Sequence, residues 1–264
     1  MSGSPHDPWF FLANRTMARI GRGRTGASLP TREVLAFDLA HAQARDAVHA
    51  RVDRAKLARE LGHLNLTTLE VESQAVERQA YLRQPDAGRR LSDASAARLS
   101  AAAGGRRDLA IMIGDGLSAA AVDAHAATFM SEFAPLMGKL GLVMGPIVLA
   151  EGARVALGDI IGATLGARLS VVLIGERPGL SAADSLGIYL TYDPRPGRND
   201  AERNCISNIR PDGLPPAMAA QKLAWLISAA FTRKLTGVAL KDESDAVLQG
   251  PGPADKLVPP PRAT

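Results

Sequence analysis

The sequence predicts an α/β fold in which an all-helical N-terminal domain, residues 1–100, precedes a C-terminal domain with a mostly parallel sheet, residues 101–245. Two patterns lead to this prediction. In the first hundred positions, apolar residues recur at helical intervals. Beyond residue 107, short apolar runs typical of buried strands alternate with helical segments, as expected of parallel strands covered on both faces. The last segment, residues 246–264, is rich in proline and is predicted to be disordered.

The N-terminal domain is predicted to contain two long helices. The first begins near Thr31 and continues through residues 33–61, and Gly62 marks its end. The second covers residues 66–82, before the proline and glycine of the loop PDAGRR. A stretch of small residues, SDASAARLSAAAGG, then leads into the second domain.

In the C-terminal domain, predicted strands and helices follow one another along the chain. The strands are the runs DLAIMI, LVMGPIVLA, LSVVLI and LGIYLTY. The helices cover residues 117–137, 153–165 and 216–235. A polar stretch, residues 193–211, separates the last strand from the last helix and is predicted to be a long loop.

Composition and charge exclude several classes of function. The net charge of +4 is a small excess spread along the chain, and only 4% of the residues are aromatic, so no nucleic-acid partner is expected. The longest apolar run is broken by Gly145 and Pro146 and is too short for a membrane helix of ~20 residues. Because the chain has a single cysteine and no signal-peptide pattern, we expect a soluble protein of the cytoplasm.

The segment GRGRTG has the G-x-G-x-x-G spacing of a dinucleotide-binding loop, through Gly21, Gly23 and Gly26. That motif needs a preceding strand and an acidic residue at a strand end about 20 positions further on. No strand is predicted before these glycines, and Asp46 lies in the middle of a predicted helix. A basic turn or a subunit contact is therefore the favoured interpretation.

The region most informative about function is residues 175–211, which begins where the run LSVVLI ends. Ligands of open α/β sheets bind outside the carboxyl ends of strands, so Glu176 and Arg177 are candidates for ligand contact. The alternative is a local ion pair between these two side chains. Arg203 would favour a nucleophilic thiolate at Cys205, but no histidine lies in the region, and a packing or ligand-contact role is favoured.

Blocks of the sequence resemble those of the small subunit of ethanolamine ammonia-lyase, in the order found in that family. They are GRGRTGASLPT, DLAHAQARDAVH, IGDGLSA, ARVALGD, VVLIGERPGL, DSLGIYLTY, AERNCISNIRP and LTGVALKDES. They extend from about Ile20 to Ser244, and the GERPGL and CISN blocks are the most specific. The resemblance implies a helical N-terminal domain and a Rossmann-like C-terminal domain, in agreement with the division predicted from periodicity.

The resemblance also implies a cofactor and a partner. Members of the family form a hetero-oligomer with a large β/α-barrel subunit, which binds ethanolamine, and adenosylcobalamin lies between the two chains. The cofactor keeps its nucleotide base on cobalt and needs no protein histidine there. In DAHAAT, Thr128 replaces the glycine of the cobalt-binding motif D-x-H-x-x-G, so His125 is expected to be an ordinary helix residue. By matching blocks, cofactor contacts carry over to Val155 in ARVALGD, Glu176 in GERPGL and Cys205 in CISN.

The implied reaction converts ethanolamine to acetaldehyde and ammonia through cobalt–carbon homolysis, hydrogen abstraction by the adenosyl radical and migration of the amino group. In the family the substrate pocket belongs to the large subunit. No catalytic or metal-binding residue is therefore assigned to this chain, which is expected to act as a cap that excludes water. The alternatives are a Rossmann-type oxidoreductase acting alone and a non-enzymatic nucleotide-binding module. Subunit stoichiometry and packaging in a bacterial microcompartment are left open.

Overall fold

The secondary structure is known from a computed structural model that describes residues 9–13, 15–75 and 77–245. The strands in these residues are β1 Thr68–Glu72, β2 Arg107–Gly114, β3 Met144–Glu151, β4 Ala167–Gly175, β5 Leu186–Tyr192 and β6 Arg203–Ile209. The α-helices are α1 Phe10–Ala13, α2 Thr31–His49, α3 Arg54–His63, α4 Arg78–Arg83, α5 Asp93–Ala101, α6 Ala119–Lys139, α7 Leu157–Thr164 and α8 Pro216–Arg233. Short 3₁₀ helices cover Ala87–Arg89, Asp200–Glu202 and Gly237–Ala239.

All of these strands belong to one sheet, in the order β1–β3–β2–β4–β5–β6. The first four in this order are parallel, whereas β5 pairs antiparallel with β4 and β6 pairs antiparallel with β5. The central strands β2 and β4 are buried along nearly their whole length, as expected of strands covered on both faces. The carboxyl ends of β1, β2, β3 and β4 therefore lie at the same end of the sheet.

Helices cover the two faces of the sheet with separate hydrophobic cores. On one face α3, α6 and α8 pack against the strands, and Phe129, Phe133 and Phe231 are fully buried there. On the other face α5 and α7 pack, and Leu99 and Leu157 are fully buried. Full burial of such a side chain contributes roughly 1.5–3 kcal/mol relative to exposure, so both helical layers hold the sheet in place.

The predicted all-helical N-terminal domain is wrong. β1 lies within the helix predicted for residues 66–82 and pairs in parallel with β3, so the N-terminal part supplies an edge strand of the common sheet. In TLEVE, Leu69 and Val71 alternate with glutamates, and Val71 is fully buried. Five residues of alternation are too few to outweigh the helical spacing around them. The N-terminal helices are thus interspersed with strands.

The single helix predicted for residues 33–61 is also interrupted. α2 ends at His49, and the backbone of Ala50 is extended. Asp53 then starts α3 by accepting a hydrogen bond from the backbone N–H of Lys56, at 2.9 Å. Aspartate is a favoured N-cap residue, and it sets the beginning of the second helix.

The prediction of a Rossmann-like domain is wrong as well, because the sheet is mixed. β6 lies within the polar stretch of residues 193–211, where a loop is predicted, and it pairs antiparallel with β5. Of its residues, Ile206 and Ile209 are buried apolar side chains, while Cys205 and Ser207 are exposed. An antiparallel pair of strands therefore extends the sheet where a doubly wound fold would continue with helix-linked parallel strands.

The predicted disordered tail, residues 246–264, lies outside the described residues. The domain limits at residues 100 and 245 stay a prediction. Within the part of the chain that the structure describes, no helix combines the length and the apolar character that crossing a bilayer requires.

Candidate functional site

A pocket of about 450 Å³ lies at the carboxyl end of β4, beside the turn that follows β2 and the turn that precedes α7. Val155 and Glu176, two of the three predicted contact residues, line this pocket together with Tyr189 of β5. The third, Cys205, is directly opposite Tyr189 in the antiparallel pairing of β5 and β6, so the two side chains share one face of the sheet. The structure thus brings together three residues from three separate sequence blocks. Their role in cofactor contact stays a prediction.

The carboxylate of Glu176 is fixed through one of its two oxygens. Its Oε2 accepts hydrogen bonds from the hydroxyl of Ser185 (2.5 Å) and from the backbone N–H of Asn208 (3.1 Å). Its Oε1 accepts none from the described residues. It lies against Gly187, where an added Cβ would be only 2.9 Å away. The local ion pair with Arg177 is not formed, and Oε1 is free to accept a hydrogen bond from a ligand.

Cys205 is exposed on β6, but its surroundings do not favour a thiolate. Partial burial raises the pKa of the thiol, and the negative charge of Glu176 raises it further against an opposing hydrogen bond with Tyr189. Burial also raises the pKa of Tyr189. Arg203, which could favour a thiolate, is held by Asp159 instead, at 2.6 Å. Because only the thiolate is a good nucleophile, these surroundings do not favour nucleophilic catalysis by Cys205.

The turn that carries Val155 is held by a tyrosine from the N-terminal part of the chain. The hydroxyl of Tyr81 donates to Ala153 O at 3.1 Å, and burial raises the pKa of Tyr81 to about 12, so the donor persists at neutral pH. The Arg154 guanidinium stacks 4.1 Å above the Tyr81 ring and donates to Tyr81 O at 3.0 Å. The backbone N–H of Arg154 donates to Gly88 O at 2.9 Å. Residues before β2 therefore support a site at the end of β4, which sequence patterns did not indicate.

Asp115, in the turn after β2, joins that turn to the end of β3. Its carboxylate accepts the backbone N–H groups of Gly116, Gly152 and Ala153 at 3.0–3.1 Å and faces Arg78 at 3.5 Å. Burial raises the pKa of Asp115, and these N–H groups and Arg78 oppose the rise by stabilising the carboxylate. The turns on the two sides of the pocket are thereby tied together.

A buried ion pair connects α7 to β6. Asp159 and Arg203 are each 2% exposed, and the two carboxylate oxygens accept from the two terminal guanidinium nitrogens at 2.6 and 2.7 Å. Burial raises the pKa of Asp159, and the hydrogen bonds from Arg203 oppose the rise. The pair fixes the start of α7, next to Val155, against the strand that carries Cys205. The ARVALGD and AERNCISN blocks therefore meet in space.

The loop after Glu176, residues 177–185, is anchored to α6. Ser118, the N-cap of α6, donates its hydroxyl to Ala183 O at 2.7 Å. His125 Nε2 lies 3.0 Å from Asp184 Oδ2. His125, expected to be an ordinary helix residue, is buried and holds this loop in place.

The pocket has the chemistry of a binding site. It offers the Glu176 carboxylate as acceptor, Arg154 and Arg177 as donors, and apolar surface from Val155 and Tyr189. Its described lining contains no histidine and no second carboxylate, so it lacks the paired groups of general acid–base catalysis. Among residues 9–13, 15–75 and 77–245, no group of three or more His, Cys, Asp and Glu side chains could hold a metal ion.

The G-x-G-x-x-G segment forms a turn that does not line this pocket. Gly21, Gly23 and Gly26 all have positive φ angles, and a bridge between Thr25 and Ser28 closes the turn. No strand precedes it in the described residues. A dinucleotide loop between a strand and a helix is therefore not formed here.

Comparisons with known proteins agree with the motif blocks. The model of the family described as Ethanolamine ammonia-lyase light chain (EutC) matches residues 6–241. The chain is 55% identical to the ethanolamine ammonia-lyase small subunit of Bradyrhizobium diazoefficiens, over 91% of this chain and 92% of the relative. The small subunits of Rhodopseudomonas palustris and Xanthomonas campestris pv. campestris are 55% and 50% identical, over 88% and 97% of this chain and 89% and 95% of the relatives. The resemblance is confirmed, and the chain belongs to the family of ethanolamine ammonia-lyase small subunits.

Proposed function

We propose that this chain holds adenosylcobalamin in the pocket lined by Val155 and Glu176, with Cys205 beside it on β6, and that a large β/α-barrel subunit covers the other side of the cofactor and binds ethanolamine. The two chains together would be the active lyase. Family membership supports a hetero-oligomer, because a small subunit implies a large one. The cofactor and the division of labour are supported by the chemistry of the pocket.

The free Oε1 of Glu176 is the observation that carries this proposal. A corrin ring bears amide side chains, whose N–H groups are donors, and methyl groups along its edge. A carboxylate oxygen that has no donor among the described residues, in a pocket also lined by Val155 and Tyr189, suits both kinds of group. Arg154 and Arg177 add donors for amide carbonyl oxygens. A pocket of about 450 Å³ takes one edge of a corrin, which leaves the rest for a second chain to cover.

The residues of this chain bind and orient; they do not carry the reaction. When bound, adenosylcobalamin supplies the radical chemistry that converts ethanolamine to acetaldehyde and ammonia. Glu176 would accept a hydrogen bond from a corrin amide, and Val155 and Cys205 would pack against the ring periphery. The Asp159–Arg203 pair keeps these contacts rigid, as precise sites require. With the large subunit in place, this surface excludes water from reactive species.

The substitution Glu176→Gln tests the assignment. It keeps the shape of the side chain but removes the charge of the acceptor. The complex of this chain with the large subunit is dialysed against adenosylcobalamin in the dark without ethanolamine, and the Kd is measured. We expect a loss of roughly 1–2 kcal/mol, which is about five- to thirtyfold in Kd.

The matched control is Glu132→Gln, which neutralises an exposed carboxylate on α6 that does not line the pocket. Its Kd should equal that of the wild type. An unchanged Kd for Glu176→Gln removes this residue from the site. A wild-type complex that binds no cobalamin refutes the proposed function itself.

A further inference from the structure

We propose that Ser185 and Asn208 are positioning residues, which aim the Glu176 carboxylate at the cofactor by holding its Oε2. This inference rests on the proposed function. Both donors contact the same oxygen, at 2.5 and 3.1 Å, and they come from two different strands of the sheet, one just before β5 and one near the end of β6. Oε1 is then the oxygen that remains for a ligand.

The first support is the location of Ser185. It is buried, and the backbone beside it is tied to the same glutamate, since the Glu176 N–H donates to Ser185 O at 2.9 Å. The serine hydroxyl and the glutamate therefore form a closed ring of two hydrogen bonds. This fixes the Glu176 side chain in one rotamer before any ligand arrives.

The second support is the backbone of Asn208. Its φ angle is 59°, a left-handed conformation that asparagine tolerates better than most residues. With this conformation at the end of β6, its N–H points to Glu176 instead of to a neighbouring strand. Arg210 Nε donates to Asn208 Oδ1 at 3.0 Å, and Leu214 N–H donates to Asn208 O at 2.8 Å, which stabilise the conformation. Asn208 of the CISN block therefore holds the carboxylate of Glu176, which belongs to the GERPGL block.

The third support is the space beside Oε1. A Cβ at Gly187 would be 2.9 Å from both Oε1 and Cγ of Glu176, so only glycine leaves the carboxylate where the two donors hold it. Contacts from β5, from β6 and from the loop between β4 and β5 therefore restrict the carboxylate to one position. Preorganisation of this kind increases affinity because the side chain loses little freedom on binding.

A double-mutant cycle separates positioning from a general structural role. Kd for adenosylcobalamin is measured on the complex with the large subunit, for wild type, Ser185→Ala, Glu176→Ala and the double variant. We expect Ser185→Ala to weaken binding about three- to tenfold, because the freed carboxylate must become ordered on binding. In the Glu176→Ala background, the same serine substitution should change Kd less than twofold, since there is no carboxylate left to hold.

Ser118→Ala is the matched control. It removes another buried serine hydroxyl, one that donates to Ala183 O of the same loop at 2.7 Å and makes no hydrogen bond to Glu176. Ser118→Ala should change Kd by the same factor in the presence and absence of Glu176. The melting temperature of the Ser118→Ala variant shows how much stability is lost with a hydrogen bond that does not involve Glu176. Equal effects of Ser185→Ala in both backgrounds, or no effect in either, overturn the positioning role. If Glu176→Ala itself leaves Kd unchanged, the cofactor contact fails and the positioning role fails with it.

Discussion

Removal of the Asp159 carboxylate is predicted to cost a large part of the stability of this chain. The guanidinium of Arg203 has five N–H groups, and each has an acceptor within 3.4 Å. The acceptors are the two carboxylate oxygens of Asp159, Thr191 Oγ1, Arg198 O and Asp200 Oδ1. Asp159→Asn keeps the shape of the side chain but leaves the buried positive charge of Arg203 without the buried negative charge that neutralises it.

The magnitude follows from the burial of both side chains. Removing one partner of a buried ion pair costs about 3–5 kcal/mol, against a total stability of about 5–15 kcal/mol for an ordinary protein. For a domain of this size, 1 kcal/mol shifts the melting temperature by roughly 2–4 °C, so we expect a decrease of about 6–20 °C. Asp200 bonds the same guanidinium at 3.4 Å but is 97% exposed. Asp200→Asn should therefore cost at most about 1 kcal/mol.

Thermal unfolding followed by circular dichroism measures both variants under the same conditions. A third variant, Asp159→Leu with Arg203→Met, replaces the pair by apolar side chains and should recover much of the lost stability, because no unpaired charge remains. If Asp159→Asn and Asp200→Asn lower the melting temperature equally, the buried carboxylate stabilises Arg203 no more than the exposed one does, and the reasoning is refuted. A double variant less stable than Asp159→Asn would refute it too.

Two further predictions concern the pocket. Because partial burial and the charge of Glu176 raise the pKa of the Cys205 thiol, alkylation by iodoacetamide should need a higher pH than alkylation of free cysteine. Alkylation of Cys205 at the same pH as free cysteine, or at a lower pH, would contradict this prediction. Gly187→Ala places a Cβ 2.9 Å from Glu176 Oε1 and should raise the Kd for adenosylcobalamin about tenfold in the complex. Equal affinity to the wild type would show that the carboxylate needs no such space.

The parts of the fold that sequence reasoning located are those with long local signals. β5 coincides with the predicted strand LGIYLTY, and α8 begins at Pro216 as predicted. Both have apolar residues repeated over many positions, so the period is clear without tertiary context. The same holds for β4, a run of nine residues of which eight are buried.

The parts that were missed depend on distant partners. β1 is five residues long, and its pairing with β3 decides its conformation. β6 begins with Arg203, which is buried because it pairs with Asp159, 44 residues away in the sequence. A short strand that is stabilised by residues distant in the sequence has no clear local pattern. Propensity and periodicity therefore favour helix or loop for such a segment.

The candidate site was predicted in part for the same reason. Val155, Glu176 and Cys205 were named from the resemblance, and the structure brings them together. Tyr81 lies outside every block of the resemblance, and Ser185 lies inside DSLGIYLTY but was given no role, although both hold these residues in place. A serine before a strand and a tyrosine in a helix are common features, and only the folded geometry distinguishes them by their hydrogen-bond partners.

The proposed division of labour between two chains is tested by ammonia release from ethanolamine in the presence of adenosylcobalamin. The rate is measured for this chain alone, for the large subunit alone and for their mixture. The described lining of the pocket has no acid–base pair, and a corrin bound there would be uncovered on one side, so radical species would be quenched by solvent. We therefore expect ammonia only from the mixture. Release by this chain alone at a rate comparable to that of the mixture would contradict the proposed function.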